Sequence, residues 1–337
     1  MQIRKKKILV TGAEGFIGSH LCETLVKKGV SVKALVLYNS FNKEGWLEDL
    51  PNDIRNSIET VSGDVRDKEL ISNITQGCDI IFHLAALISI PFSYSAPSSY
   101  LNTNTAGTLN ILEAAKEANC SKIISTSTSE VYGTAIKTPI DEMHKIQAQS
   151  PYAASKISAD LFLESYVRSF NIPAVILRPF NTYGPRQSER AVIPSIIRQV
   201  LDTRIKTIKV GSLETKRDFN YVQDTVDAFI SLAEANKNNI EFGGVYNAGS
   251  GKAISIENVL KKIIKLTGCT KNIIKDRKRI RPKNSEVHNL IASSKKLYNL
   301  SKWKPKHNLE EGLKNTIDWW KKRKKNNKIR SSTNYAV

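Results

Sequence analysis

The sequence predicts an α/β protein, a doubly wound parallel sheet joined to a smaller C-terminal α/β part. Two observations carry this. An apolar run, Lys7-Ile-Leu-Val10, leads directly into the octapeptide Thr11-Gly-Ala-Glu-Gly-Phe-Ile-Gly18. Strand-like and helix-like segments then alternate through the first 180 residues, the pattern of βαβ units whose helices cover both faces of a sheet.

The elements follow in order. Ile17, Leu21 and Leu25 recur at helical spacing across 16–28, Gly29 ends that helix, and Val30 to Leu37 reads as the next buried strand. Gly12, Gly15 and Gly18 fall in the strand-to-helix turn between them. Bare backbone N–H groups at a helix N-terminus, at the positive end of the dipole, favour a pyrophosphate there. In this context the turn points to a Rossmann-like dinucleotide site. Apolar runs at 58–61, 80–84, 122–125 and 174–177 predict further strands, with helical patterns at 68–76, 100–119 and 152–170. Beyond Pro179 the pattern is mixed: 191–201, 223–235, 255–266 and 309–320 read as helices, separated by short strands at 208–210 and 245–247. Residues 1–180 are therefore assigned to the dinucleotide-binding domain, with 216–240 returning to it. Residues 181–215 and 241–325 are assigned to a substrate-binding part, and 326–337 to a basic tail.

A chain of 337 residues, 40% hydrophobic and 25% charged, is long enough for a large core and too apolar to be disordered. No apolar run approaches the ~20 residues that span a bilayer. The N-terminus lacks the apolar core of a signal peptide, so a cytoplasmic enzyme with no membrane partner is expected. Cys22, Cys78, Cys120 and Cys269 are scattered and read as reduced; the five histidines show no close metal spacing, and no metal is expected. His83 reads as a packed histidine. The formal charge of +19 is densest at Lys321-Lys-Arg-Lys-Lys325, with Lys328 and Arg330. Nothing resembles a nucleic-acid-binding motif, so this reads as a solvated tail and no nucleic-acid partner is expected. Diffuse positive charge suits an enzyme that draws in anionic nucleotide substrates.

The pattern Tyr152-Ala-Ala-Ser-Lys156 is separated from a second match, Tyr298 to Lys302, by its placement. Ser150-Pro151 supplies an N-cap and a first-turn proline, which puts Tyr152 and Lys156 one turn apart on one helical face. That helix follows a strand ending in Ser125-Thr-Ser-Thr-Ser-Glu130, where open α/β sheets place ligands. A neighbouring ammonium favours the phenolate, so Lys156 is expected to lower the pKa of Tyr152 and fit it to take a proton from a sugar hydroxyl.

With these residues in view the chain resembles the extended short-chain dehydrogenase/reductase family of nucleotide-sugar enzymes, from about Lys7 to Trp320. The resemblance rests on TGAEGFIGSHL, GDVRD (63–67), HLAA (83–86), the segment opening at Asn104, STSEVYG (127–133), YAASK, RPFNTYGPRQ (178–187), KRDFNYVQDTVDAF (216–229) and Arg281-Pro282. Thr128-Ser129-Glu130 resembles the tripeptide of the family's 4,6-dehydratases, which implies Glu130 as the base for the C5 proton. Alternation along an extended strand would point Thr128 and Glu130 the same way. Ser129 stands where glucose-type dehydratases place an aspartic acid, so Glu130 is left to protonate the leaving hydroxyl as well. Family decarboxylases of nucleotide glucuronates carry the same tripeptide and remain the alternative, along with 4-epimerases. The stretches 37–47 and 84–94 resemble the dehydratases that begin legionaminic acid biosynthesis, which implies a UDP- or GDP-linked N-acetylglucosamine as substrate.

The resemblance also implies ligands. Phe16 and Ile17 join the three glycines, Asp64 and Val65 face the adenine, Leu84, Ala85 and Ala86 line the cofactor path, and Pro179 closes on the nicotinamide. Tyr38 occupies the position where NAD-using relatives place an acidic ribose ligand; no arginine follows closely, which favours NAD over NADP. Asn181, Val192, Arg217 and Arg281 are implied as substrate ligands, the arginines because a guanidinium grips phosphate bidentately. Pairing of two chains through 100–119 and 152–170 is implied, giving a homodimer.

Overall fold

Apolar segments far apart in the chain pair side by side in the computed structural model, which describes residues 3–279, 287 and 289–329. The strands are β1 (Lys7–Thr11), β2 (Ser31–Leu37), β3 (Ile58–Gly63), β4 (Ile80–His83), β5 (Lys122–Thr126), β6 (Ala174–Pro179), β7 (Asn181–Tyr183), β8 (Thr207–Val210), β9 (Lys216–Tyr221), β10 (Val245–Ala248), β11 (Ala253–Ser255) and β12 (Asn272–Lys275). The helices are α1 (Phe16–Lys27), α2 (Asn52–Arg55), α3 (Lys68–Thr75), α4 (Ile90–Ser95), α5 (Pro97–Tyr100), α6 (Gly107–Glu117), α7 (Pro151–Phe170), α8 (Val192–Leu201), α9 (Val222–Glu234), α10 (Ile256–Thr267), α11 (Lys295–Ser301) and α12 (Leu309–Lys325).

Seven strands form one parallel sheet in the order β3-β2-β1-β4-β5-β6-β10. Successive residues of a strand face opposite sides, and both sides are apolar. Leu9, Ile81, Ile123 and Ile176 pack with Ile111, Leu112 and Leu163 of α6 and α7, while Val10, Phe82, Ile124 and Val175 pack with Leu21, Leu25 and Phe229 of α1 and α9. The strand order reverses between β1 and β4, so a crevice opens at their carboxyl ends. Lys122, fully buried at the start of β5, donates to the Leu232, Ala233 and Ala235 carbonyls at the end of α9, at 3.0, 3.0 and 2.8 Å. An ammonium there satisfies carbonyls that the helix cannot bond itself.

A second core lies beyond β6. Strands β11-β9-β7 form a small sheet, β12-β8 a second, and Ile193, Ile197, Leu260, Ile263, Leu313 and Trp320 of α8, α10 and α12 pack together. The division between the parts is more interleaved than the sequence reading has it. β9, within the returning segment 216–240, belongs to the small sheet, whereas β10, within the segment assigned to substrate binding, is the outermost strand of the large one.

Two helices depart from expectation. The pattern over 100–119 is broken by a π-helical turn, Leu101–Ala106, between α5 and α6. The helix expected over 309–320 continues to Lys325, because its last turn carries Lys322, Arg323, Lys324 and Lys325, cations that suit a helix C-terminus.

Candidate active site

The glycine turn closes backbone on backbone. Gly12 has φ of +66°, and a Cβ there would stand 2.8 Å from the Ala85 amide nitrogen; one on Gly18 would stand 2.2 Å from the Gly12 carbonyl oxygen. α1 starts from Gly15 with no side-chain cap and no acidic residue in its first turn. The helix end is therefore open to an anion, as a pyrophosphate site requires. Thr11 pins the neighbouring strand end to this turn: its hydroxyl receives the Leu84 and Ala85 amides at 3.2 and 3.1 Å and meets His83 Nδ1 at 2.8 Å. The sequence reading missed Thr11, although it is the first residue of the octapeptide.

His83 bonds the Thr108 hydroxyl through its other nitrogen at 3.1 Å, so its partners are two side chains inside the core. Burial, with the Lys156 charge adding to it, lowers its pKa to about 3. Burial, with Arg186, lowers that of His20 to about 4. Both folded values lie below the ordinary 6.5, so the unfolded chain takes up these protons first as pH falls. Stability from these groups is complete above about pH 6.5 and drains away toward their folded values. For the fully buried His83 the slope is about 1.4 kcal/mol per pH unit. Urea midpoints measured at pH 7 and pH 5 are expected to fall, and His83→Gln to remove part of the difference; an unchanged midpoint would contradict this.

Tyr152 and Lys156 stand one turn apart on α7, which Ser150 caps by accepting the Ala153 amide at 3.1 Å. Both side chains are buried. The Thr128 hydroxyl bonds the Tyr152 phenol, and the Tyr100 ring meets the Tyr152 ring edge-on with centroids 6.2 Å apart. The expected lowering of the phenol's pKa by Lys156 is not what the structure gives. Burial raises it more than the Thr128 hydrogen bond lowers it, and the charges of Glu130, Tyr100 and Asp160 add to the rise. Burial also lowers the pKa of Lys156, with the Asp160 carboxylate opposing it. Among the described residues the Lys156 ammonium makes no hydrogen bond, so a buried cation is left in want of acceptors. Ribose hydroxyls of a dinucleotide would meet that need.

The strand end differs from the extended geometry expected of it. β5 stops at Thr126, and Ser129–Tyr132 form a 3-10 turn capped by Thr128, whose hydroxyl accepts the Glu130 amide at 3.2 Å. Thr128 and Glu130 are thus brought together by a turn and not by strand alternation. The turn packs against α7, the helix that carries Tyr152, and the Glu130 charge opposes ionisation of the phenol. Ser129 is buried. A phenol and a carboxylate on packed neighbouring elements can divide acid and base work between two carbons of a substrate.

A buried polar network, unforeseen in the sequence, backs this group. Asp160, one turn beyond Lys156, accepts from the Ser127 hydroxyl at 2.7 Å and from Arg178 Nε and Nη2 at 3.2 and 2.8 Å. Arg178 also donates to the Tyr132 hydroxyl at 3.0 Å, and that hydroxyl donates to Asn247 Oδ1 at 2.8 Å. Asn104, in the π-helical turn, holds both the amide and the carbonyl of Leu87 and donates to the Ser155 hydroxyl at 2.9 Å. It fastens segment 87–95 over Tyr152.

The remaining expected ligands fall on several elements. Phe16 and Ile17 open α1, and Leu84 and Ala85, followed by Ala86, leave the end of β4. Val65 is buried, Asp64 pairs with Arg66, and Tyr38 is 70% exposed at the end of β2. Pro179 ends β6. Asn181 carries a buried Oδ1 without a partner, Val192 opens α8 half-exposed, and Arg217 is buried in β9, donating to the Lys216 carbonyl at 3.0 Å. Arg281 lies outside the described residues. Arg186, passed over in the sequence, fastens the 184–190 loop to α1: it pairs with Glu23, while His20 Nε2 and the Pro185 carbonyl oxygen are 3.0 Å apart. Asp218 and Asp224 organise loops. Asp218 accepts from the Ser250, Gly251 and Ala292 amides, and Asp224 from the Lys306 and His307 amides. Among the described residues no three His, Cys, Asp or Glu side chains gather as a metal set, and no helix is long and apolar enough to cross a membrane.

Sheet order, glycine turn and Tyr–Lys pair together define a dinucleotide-dependent enzyme fold of the short-chain dehydrogenase/reductase class. Residues 9–316 match the family model described as GDP-mannose 4,6 dehydratase. The chain is 32% identical over 323 residues to the dTDP-D-glucose 4,6-dehydratase of Mus musculus, covering 94% of this chain and 89% of that protein. Among solved structures it is similar to the dTDP-glucose 4,6-dehydratase of Streptomyces venezuelae with NAD bound, at 26% identity, TM-score 0.85 and coverage of 95% and 98%. It is also similar to the UDP-N-acetylglucosamine 4-epimerase of Methanobrevibacter ruminantium, at 32% identity, TM-score 0.84 and coverage of 95% and 99%. The chain belongs to the GDP-mannose 4,6-dehydratase family, whose relatives here are nucleotide-sugar 4,6-dehydratases and 4-epimerases of the extended short-chain dehydrogenase/reductase type.

Proposed function

We propose that the protein is an NAD-dependent nucleotide-sugar 4,6-dehydratase, a cytoplasmic enzyme that converts a UDP- or GDP-linked N-acetylglucosamine to its 4-keto-6-deoxy sugar at the start of legionaminic acid biosynthesis. The observation that carries this reading is the 3-10 turn Ser129–Tyr132, which sets Glu130 beside Thr128 and packs against α7, the helix that carries Tyr152. Inversion at C4 needs one proton-transferring group there, whereas loss of water across C5 and C6 needs a second in the same pocket.

Tyr152 takes the proton of the C4 hydroxyl, while Thr128 holds that end of the sugar. The phenol has to be drawn down from its raised value; Lys156 supplies positive charge for this, to which a bound NAD would add. NAD, when bound, supplies a two-electron acceptor that is regenerated within the turnover. Its fit rests on the open α1 terminus and on the Lys156 ammonium. With C4 a ketone, the C5 proton is acidified, and Glu130 removes it and delivers it to the departing C6 hydroxyl. Ser129 is too weak an acid for that delivery. C6 takes back the hydride that C4 gave up and C5 takes a solvent proton, so the net change is loss of one water, with the sugar's oxidation level unchanged. Arg217 and Arg281 hold the diphosphate, with Asn181 and Val192 toward the nucleotide. Leu101, Leu161 and Phe162, exposed beside α6 and on α7, support pairing of two copies through these helices.

The shared Thr128-Ser129-Glu130 tripeptide keeps one second reading, decarboxylation of a nucleotide glucuronate. Incubation of the full chain and NAD with a panel of nucleotide sugars separates the two by product mass. Loss of water from a nucleotide N-acetylglucosamine is expected. Carbon dioxide from a glucuronate, or C4 inversion without mass change, would overturn the dehydratase reading.

A further inference from the structure

Two residues of the basic C-terminal stretch, Arg323 and Lys328, are anchored to the body of the protein. Arg323, in the last turn of α12, pairs with Asp49 in the 3-10 turn Gly45–Asp49, and its guanidinium lies 4.8 Å from the Trp46 ring and 5.0 Å from the Trp319 ring. Lys328 reaches the other Asp49 oxygen at 2.8 Å, and the Lys328 carbonyl receives Arg323 Nη2 at 3.1 Å. The two tryptophan rings meet at 5.5 Å. A planar cation lodged against two aromatic rings, with a half-buried carboxylate beside it, is a fixed contact.

That contact continues into the glycine turn. The Trp46 amide donates to the Glu14 carbonyl at 3.0 Å, and Glu14 lies between Gly12 and Gly15. The approach depends on Gly45, whose φ is +58° and where a Cβ would stand 2.8 Å from that same oxygen. The Glu14 carboxylate in turn accepts the Leu37 amide at the end of β2, at 3.1 Å, and its second oxygen is buried without a partner. Segment 37–46, the rim for an adenosine ribose, is thus tied at one end to the turn and at the other to the C-terminal helix.

We infer that Arg323, with Asp49 and Trp46, is a cofactor-positioning clasp that holds the glycine turn in its dinucleotide-binding shape. A turn already held in shape does not have to be ordered by the ligand, so affinity rises. Coupling is reciprocal: bound NAD must tighten the clasp as much as the clasp tightens NAD. This inference rests on the NAD reading given above for the same site.

Titration of the full-length protein with NAD by calorimetry tests it without reference to turnover. Arg323→Ala is expected to weaken NAD about five- to tenfold. Asp49→Asn cuts the same contact from the other side and is expected to do likewise, which covers failure of the first variant to fold. Lys325→Ala removes a charge from the same turn and leaves the clasp whole; it should stay within about twofold because exposed charges are screened. NAD should also slow tryptic cleavage after residues 321–328 in the wild-type chain and not in Arg323→Ala. Wild-type affinity in both clasp variants, or an equal loss in Lys325→Ala, would overturn the clasp. No NAD binding by the wild-type chain would overturn the cofactor reading and the clasp together.

Discussion

Glu130→Gln is expected to cut formation of the 4-keto-6-deoxy product roughly a hundred- to ten-thousand-fold, the usual worth of a positioned acid–base group. Glutamine keeps the size of the side chain and its place in the Ser129–Tyr132 turn, where Thr128 receives the backbone amide of residue 130 whatever the side chain. What is lost is the ability to take the C5 proton. In deuterated buffer the wild-type enzyme should carry solvent deuterium into the product, and the variant should leave C5 unexchanged. Tyr152→Phe provides the contrast. It removes proton transfer at C4, ahead of any acidification of C5, and so should abolish exchange and product alike. A Glu130→Gln enzyme that eliminates water at the wild-type rate would remove the agent proposed for that step.

Asp160→Asn should cost about 3–5 kcal/mol, the penalty for leaving a buried charge without its partner. Arg178 and Asp160 have side chains only 3% and 7% exposed. Burial opposes the Arg178 charge, yet Asp160 and Tyr132 outweigh it and hold its pKa above the ordinary value. Without the carboxylate the guanidinium keeps its place and loses what neutralised it. A typical domain has only about 5–15 kcal/mol of stability, so urea denaturation should read this plainly. The double variant Asp160→Asn/Arg178→Met should be more stable than Asp160→Asn alone, because the stranded charge is gone. Folded Asp160→Asn protein carries a second signature. Asp160 is the group that opposes the lowering of the Lys156 pKa by burial, so the alkaline limb of the activity profile should move to lower pH. A loss below about 1 kcal/mol would mean that the pair is solvated, contrary to its geometry.

Much of this architecture is readable from the chain because parallel strands buried on both faces leave continuous apolar runs. The turn at Gly12–Gly18 and the Tyr152–Lys156 spacing likewise depend on local sequence alone. What stays hidden is set by contacts between distant segments. Thr128 and Glu130 are adjacent to β5, yet a 3-10 turn, and not the pleat of a strand, brings them together. Nothing local marks the π-helical turn at Leu101–Ala106, whose Asn104 bonds Leu87 and Ser155. The sign of the Tyr152 shift is hidden for the same reason: the chain reveals its helical neighbour Lys156, but the burial that prevails comes from Tyr100 and segment 87–95 folding over it. Asp218 and Asp224 sit inside motifs that suggest ligand binding, and their backbone partners at 250–251, 292 and 306–307 appear only once the chain is folded.

The late arrival of β10 at the outer edge of the large sheet has a practical corollary for dissecting the molecule. A fragment cut near residue 180 would carry the glycine turn and the Tyr–Lys pair but would leave β6 as a naked border, its hydrogen-bonding groups turned to water. It would also lack α9, whose Phe229 shields Phe82. Such a truncation should self-associate and not serve as a miniature dinucleotide binder.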